Sequence, residues 1–250
     1  MRSAWCVVLA MGCQFHAGST GDGGGERDAQ DDAPVDADTT PPAVTMYADA
    51  HATNMATLSY QLDIPASRDR LLLVSAQTGN TCSQLAPATI DSITYGGMAL
   101  APVETILGVQ NCATDTRTEV WALVAPPTGT AMVVVTLSAA EPTLHSIAVA
   151  FEGVDPTTPV GDRESASGAA DAASVTVASS PYELVVSFVG QGSGINRPTT
   201  GTPIVIDNVS SGSSLDNSGA STVPGAASVA ASWVFGSSDN FQEVALSLRP

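Results

Sequence analysis

The chain has no lysine. Its eight cationic side chains are all arginine, set against 25 Asp and Glu, for a formal charge of −17 over 250 residues. A nucleic-acid groove needs clustered Lys and Arg to neutralise phosphates, so no nucleic-acid partner is expected. The same charge favours solubility and cation association, and it disfavours anionic lipid heads. Aromatic residues make up only 5%, so a core must come mainly from Val, Leu, Ile and Ala. Histidine is nearly absent: only His16, His51 and His145 occur. None has a second histidine at metal-ligand spacing, and there is no H-E-x-x-H. No G-x-S-x-G elbow occurs either, because Gly190–Gly194 carries glycine where the serine would stand. P-loop and dinucleotide fingerprints are missing. His145 has no nucleophile and orienting acid in recognisable spacing, so it reads as a structural residue at a strand edge.

What is present begins with a short apolar run, Ala4–Met11, behind Arg2. It is far shorter than the roughly 20 residues that span a bilayer. It has the length of a secretory signal core. Leu9-Ala10-Met11-Gly12-Cys13 resembles the lipobox of bacterial lipoproteins, in which the cysteine receives a diacylglyceryl group and becomes the mature N-terminus. The resemblance implies a signal over residues 1–13, lipidation at Cys13, and an exported protein anchored at the outer membrane or cell surface, or otherwise secreted. Residues 14–43 then read as a tether. Asp22, Glu26, Asp28, Asp31, Asp32, Asp36 and Asp38 face only Arg27 there. Such a segment buries too little apolar surface to offset its ordering entropy. A calcium loop over Asp28–Asp38 is the competing reading, and a solvated linker is preferred to it because the turn glycine and the closing glutamate of an EF-hand are missing.

Residues 44–250 form one predicted domain. Thr57–Ile64 alternates, with Leu58, Tyr60, Leu62 and Ile64 on one face. Leu71–Ala76 is apolar almost throughout, as in a strand covered on both sides. Ile90–Tyr95 stops at Gly96-Gly97 and Met98–Leu107 follows, which predicts a hairpin. Thr118–Val124, Pro126-Pro127-Thr128-Gly129 and Met132–Leu137 predict a second, central hairpin. Leu144–Phe151, Ser174–Ala178, Glu183–Val189, Pro203–Ile206, Val229–Phe235 and Val244–Leu248 are further strands, the last pairing back into a sheet. Val154–Ala173 reads as turn-rich and Gln191–Asn217 as mostly loose. About eleven strands without a helix predict an all-β fold, an antiparallel, jelly-roll-like β-sandwich.

The order of features from Arg70 onward resembles a β-sandwich module of bacterial secreted and surface proteins. The stretches that carry it are Leu71-Leu72-Leu73-Val74, Ile93-Thr94-Tyr95-Gly96-Gly97, Val120-Trp121, Ala125–Gly129, Phe151-Glu152-Gly153-Val154-Asp155 and Gly225-Ala226-Ala227-Ser228. The resemblance implies fold and location, and no activity comes with it.

Four cysteines occur. With Cys6 in the signal and Cys13 at its end, Cys82 and Cys112 remain, and export predicts a disulfide between them. Trp121 reads first as core, as tryptophan on a sandwich strand commonly does, but it shares a strand face with Glu119, and for a ligand that pair suggests a mixed surface or a partly open groove where a sugar could stack. Trp233 shares its face with Val229, Ala231 and Phe235 and reads as core. No resident cofactor is expected; if an ion binds, it is calcium at the acidic loop of Asp155, Asp162 and Glu164. The expected function is a non-catalytic binding or surface-presentation module of the cell envelope, with a glycan or other envelope component as partner. Two alternatives compete with it: a polysaccharide hydrolase using paired carboxylates such as Glu119 and a second acid, and a purely structural envelope module.

Overall fold

The apolar run at Leu71 has no solvent-facing position because sheets cover it on both sides. The computed structural model describes residues 39–79, 87–110, 113–209 and 217–250. Fifteen strands and no helix occur among them. They are β1 (Ala43–Ala52), β2 (Met55–Ile64), β3 (Leu71–Gly79), β4 (Ile90–Tyr95), β5 (Met98–Ala99), β6 (Ala101–Gln110), β7 (Ala113–Val124) and β8 (Gly129–Glu141). The series continues with β9 (Thr143–Glu152), β10 (Val160–Ala178), β11 (Leu184–Gln191), β12 (Ile195–Pro198), β13 (Thr202–Asn208), β14 (Asn217–Pro224) and β15 (Ser228–Leu248).

Three antiparallel sheets result. The central sheet runs β1-β9-β3-β7-β6, a small outer sheet β2-β8-β4-β5, and a large sheet β10-β15-β11-β14-β13 with β12 on β15. Strand alternation assigns the two faces of the central sheet. Leu72, Val74, Trp121, Ala148 and Ala150 pack with Leu62, Ile93 and Val135 of the small sheet. Leu71, Leu73, Val120, Ile147, Val149 and Phe151 point the other way, onto Val186, Phe188, Val244 and Leu246 of the large sheet. Two sandwiches thus share a middle layer, and β3 is buried at every residue.

The large sheet then covers its own outer face. β10 and β15 pair along nearly their whole length, with an irregularity between Ala170 and Ala172. The ladder folds back there, so that Asp162 near the start of β10 accepts a bond from the Ala178 amide at its end, 2.8 Å away. Val175, Val177, Val229 and Ala231 meet Val185 and Ala245 beneath them. Trp233 and Ala173 meet Val189.

The all-β, antiparallel, sandwich-like expectation is met, with fifteen strands in place of about eleven. β1, β12 and β14 are unanticipated strands, and β10 extends the expected Ser174–Ala178 strand back to Val160, through a stretch expected to be turn-rich. β10 is rich in Ala, Ser, Gly and Asp and has little β-propensity, but pairing with β15 supplies what its side chains do not. The predicted central hairpin does not form: β7 lies in the central sheet and β8 in the small one. Ala125 at φ 51° and Gly129 at φ 92° steer the chain between layers. The Gly96-Gly97 turn is a hairpin, both glycines having positive φ. Its second strand is only the two-residue β5, after which the chain crosses to the central sheet as β6.

Candidate functional site

The interface between the central and large sheets changes character along the strands. At the Leu71 end it is wholly apolar. Toward the other end of β3 it turns polar, through Ser75 and Gln77. The strand register brings one row of the central sheet into line: His51 opposite His145, His145 opposite Gln77, Gln77 opposite Thr118. A row of the large sheet faces it: Asp207 opposite Ser218, Ser218 opposite Gly190, Gly190 opposite Gln242.

The two rows meet nearly rung for rung. Thr118 Oγ1 donates to Gln242 Oε1 at 2.7 Å. Gln77 Nε2 donates to the Val189 carbonyl at 3.1 Å, beside Gly190. Ser218 Oγ lies 3.5 Å from His145 Nδ1. His51 Nδ1 donates to Asp207 Oδ2 at 3.0 Å. These cross-interface bonds offset much of the cost of burying the polar groups, although Gln77 Oε1 has no hydrogen-bond partner.

The row ends at the β1 edge of the central sheet, where His51, His145 and Asp207 converge. His145 Nδ1 lies 3.6 Å from the same Asp207 oxygen that His51 contacts. The two rings are 5.6 Å apart, centre to centre, tilted by 33°. Side-chain exposure grades from 2% at His145 through 18% at Asp207 to 45% at His51, so the cluster has a buried wall and an open mouth. The imidazoles hold the Asp207 carboxyl below its ordinary range. Asp49 lies on the His51 face of β1. Burial, and then the negative charge of Asp207, push its carboxyl up. One nitrogen from each imidazole and one Asp207 oxygen all lie within 4.8 Å of one another, and no other group of three potential metal ligands this close occurs among the described residues.

Sequence reasoning looked for local spacing and found no second histidine near His145. The partners are 94 and 62 residues away in the chain, brought close by strand register alone. One signal was available. In β1, the alternation of Tyr47, Asp49 and His51 with Ala48, Ala50 and Ala52 is a period of two once alanine counts as apolar. His145 is not at a strand edge: β9 is flanked by β1 and β3, and the residue is buried.

The other expected residues are placed differently. Glu119 and Trp121 do share a face, but both are buried, at 5% and 9% exposure. Trp121 Nε1 donates to Glu119 Oε2 at 2.8 Å, and Arg117 donates to Oε1 at 2.7 Å. Both carboxylate oxygens are therefore engaged, and the indole offers no open face to a sugar. Glu119→Ala leaves a largely buried Arg117 charge and an indole N–H without this acceptor. It should lower unfolding free energy by about 2–3 kcal/mol, read from a urea transition.

Asp155, Asp162 and Glu164 do not converge as a calcium loop. The Asp155 carboxylate accepts from the amides and hydroxyls of Thr157 and Thr158, which hold its pKa far below the ordinary value. Asp162 caps the Ala178 amide, and Glu164 lies in β10 opposite Ala245. Arg163 pairs with Glu104 at 3.2 Å and not with its neighbours. Cys13, Cys82 and Cys112 lie outside the described residues.

No protein-family model matches the chain, and comparison with curated proteins gives no match.

Proposed function

We propose that this chain is a non-catalytic binding module of the cell envelope, exported and held by a lipid on Cys13, with its ligand position at the mouth formed by His51, His145 and Asp207. The observation that carries the reading is this convergence. Three chemically capable side chains from β1, β9 and β13 meet at a solvent-reachable edge. The acids that a polysaccharide hydrolase would need are instead engaged internally, Glu119 by Arg117 and Trp121, and Asp155 by its own turn. The Gly12-Cys13 signature and the acidic segment 14–43 supply the tether in this reading, carrying the module away from the membrane surface.

Two measurements test it. Expressed in a bacterial host, the chain should fractionate with membranes, and Cys13→Ser should move it to the soluble exported fraction. An N-terminus that keeps residues 1–12 without modification would overturn the anchor. Purified full-length protein should be retained on isolated cell-wall polysaccharide, and the double variant His51→Ala, Asp207→Asn should elute at least tenfold earlier in ligand concentration. Equal retention of both proteins would place the ligand elsewhere. Failure of the unaltered chain to bind would remove this class of partner.

A further inference from the structure

We infer that the His51–His145–Asp207 cluster is a binding site for one divalent transition-metal ion of the zinc type. The inference rests on the reading that this edge is the ligand position, and it names the ligand's chemistry. Two imidazole nitrogens and one carboxylate oxygen form a donor set that suits zinc and its borderline-soft neighbours. Calcium and magnesium prefer shells made of oxygen alone, and the acids expected to provide one do not come together.

The spacing of the three groups suits a shared ion. A tetrahedral zinc with bonds of about 2.0–2.1 Å holds its ligand atoms about 3.3–3.4 Å apart. The two nitrogen–oxygen separations are 3.0 and 3.6 Å, on either side of that value, and all three ligand atoms lie within 4.8 Å of one another, so that a small rotation of the exposed His51 ring would close the set on one ion. Without an ion, two imidazoles compete for one oxygen of Asp207. The second ring is left at a distance too long for a good hydrogen bond. An ion would replace that competition with one bond from each group. Asp49, on the same face of β1, puts a second acidic side chain beside Asp207. Two carboxylates with no lysine in the chain make a place where a cation is favoured.

Access and support are also present. Asp207 and His145 are backed by the packed interface, so two ligands are held before an ion arrives. His51 is half exposed and leaves a path for the ion and room for water at an open fourth position. The three ligands belong to β1 and β9 of the central sheet and β13 of the large one. β1 pairs with β9 alone and has no fully buried residue. An ion held by His51 and Asp207 therefore pins the least buried edge of one sheet to another.

The test is calorimetry on the full-length chain, stripped with chelator and titrated with zinc chloride. One ion per chain should bind with micromolar or tighter affinity, while millimolar calcium or magnesium should produce no saturable heat. His51→Ala, at an exposed position that should not disturb folding, and Asp207→Asn should each weaken zinc at least tenfold. Cobalt(II) in place of zinc should give the visible spectrum of a low-coordinate nitrogen–oxygen site, without a sulfur charge-transfer band. No zinc uptake would overturn the inference. So would unchanged affinity in both variants, or a thiolate band, either of which would send the ion to the acidic segment or the cysteines. Retention on cell-wall polysaccharide, repeated in chelator, separates this outcome from the broader reading. Retention through residues 51 and 207 without zinc binding would sink only the metal, and zinc binding without retention would sink only the envelope partner.

Discussion

Replacing Trp233 with alanine should lower the unfolding free energy by about 4 kcal/mol, the middle of the range for loss of a buried aromatic. Trp233 heads the fully buried side chains by size and is 0% exposed. It lies in the folded-back half of β15 and packs with Ala173, Val189, Ile195, Phe235 and Phe241. Its ring rests on Gly219, where an added Cβ would stand 3.1 Å from the indole edge, so the residue below was kept small to admit it. Its Nε1 donates to Ser187 Oγ at 3.0 Å. Removing the ring takes away the largest side chain between the folded-back ladder and the sheet beneath. Urea unfolding followed by circular dichroism measures the loss. Trp233→Phe separates the contributions: it keeps an apolar ring, drops the indole N–H, and should lose about 1–2 kcal/mol. A loss below about 1 kcal/mol for the alanine variant would mean that the ladder does not rest on this residue.

The second large effect is a pH dependence centred on Glu243. Its side chain is fully buried and meets the same Ser187 hydroxyl as Trp233. Oε1 accepts from Ser187 Oγ at 2.8 Å, and Oε2 has no hydrogen-bond partner. Burial pushes the carboxyl from its ordinary 4.5 up to about 8, opposed only in part by the serine. In the folded protein Glu243 is therefore neutral at pH 7, whereas in the unfolded chain it is ionised. The unfolded state binds fewer protons between these two values, so stability falls as pH rises. The contribution is fully present below about pH 4.5, declines through neutrality, and levels off above about pH 8. At about 1.4 kcal/mol for each tenfold change in proton concentration, the whole decline is on the order of 4–5 kcal/mol.

Glu243→Gln keeps the shape and the acceptor for Ser187 but cannot ionise. The variant should lose this slope, and at pH 8 it should be more stable than the unaltered chain by several kcal/mol. Denaturant midpoints from pH 4.5 to 8.5 decide the matter. Parallel profiles for the two proteins would show that Glu243 does not titrate across this range.

Much of this core could be read along the chain. Leu71–Ala76 is apolar at nearly every position, and that demands cover on both faces wherever the strand lies. The alternation of Leu58, Leu62 and Ile64, and the company of Trp233 with Val229, Ala231 and Phe235, announce which side is inward. Positive φ at Gly96 and Gly97 follows from residue type, because glycine alone adopts it without strain. The central hairpin failed as a reading for a specific reason. A proline–glycine turn says that the chain reverses, but it does not say that the two arms stay in one sheet. β7 and β8 leave that turn for different layers, each drawn to the face that buries its own side chains.

The candidate site was less legible. Nothing local to His51 or His145 distinguishes a ligand from a polar residue in a strand. Glu119 and Trp121 looked like a surface pair because their spacing implies a shared face, yet spacing cannot tell an open face from a covered one. The small sheet and Arg117 close that face.

The amino-acid order alone determined the class of this protein: short alternating segments, abundant turn residues and no amphipathic helix leave antiparallel sheets as the means of satisfying the backbone. It determined the formal charge of −17. Tertiary structure decided the rest. Which strand lies beside which depends on contacts between residues a hundred or more positions apart, such as His51 with Asp207. Those contacts are fixed by how whole faces pack, and a period of two is blind to which sheet a strand will join. Only when register set His51 against His145, and the sheet stack lowered Asp207 onto both, did three scattered polar residues become one site.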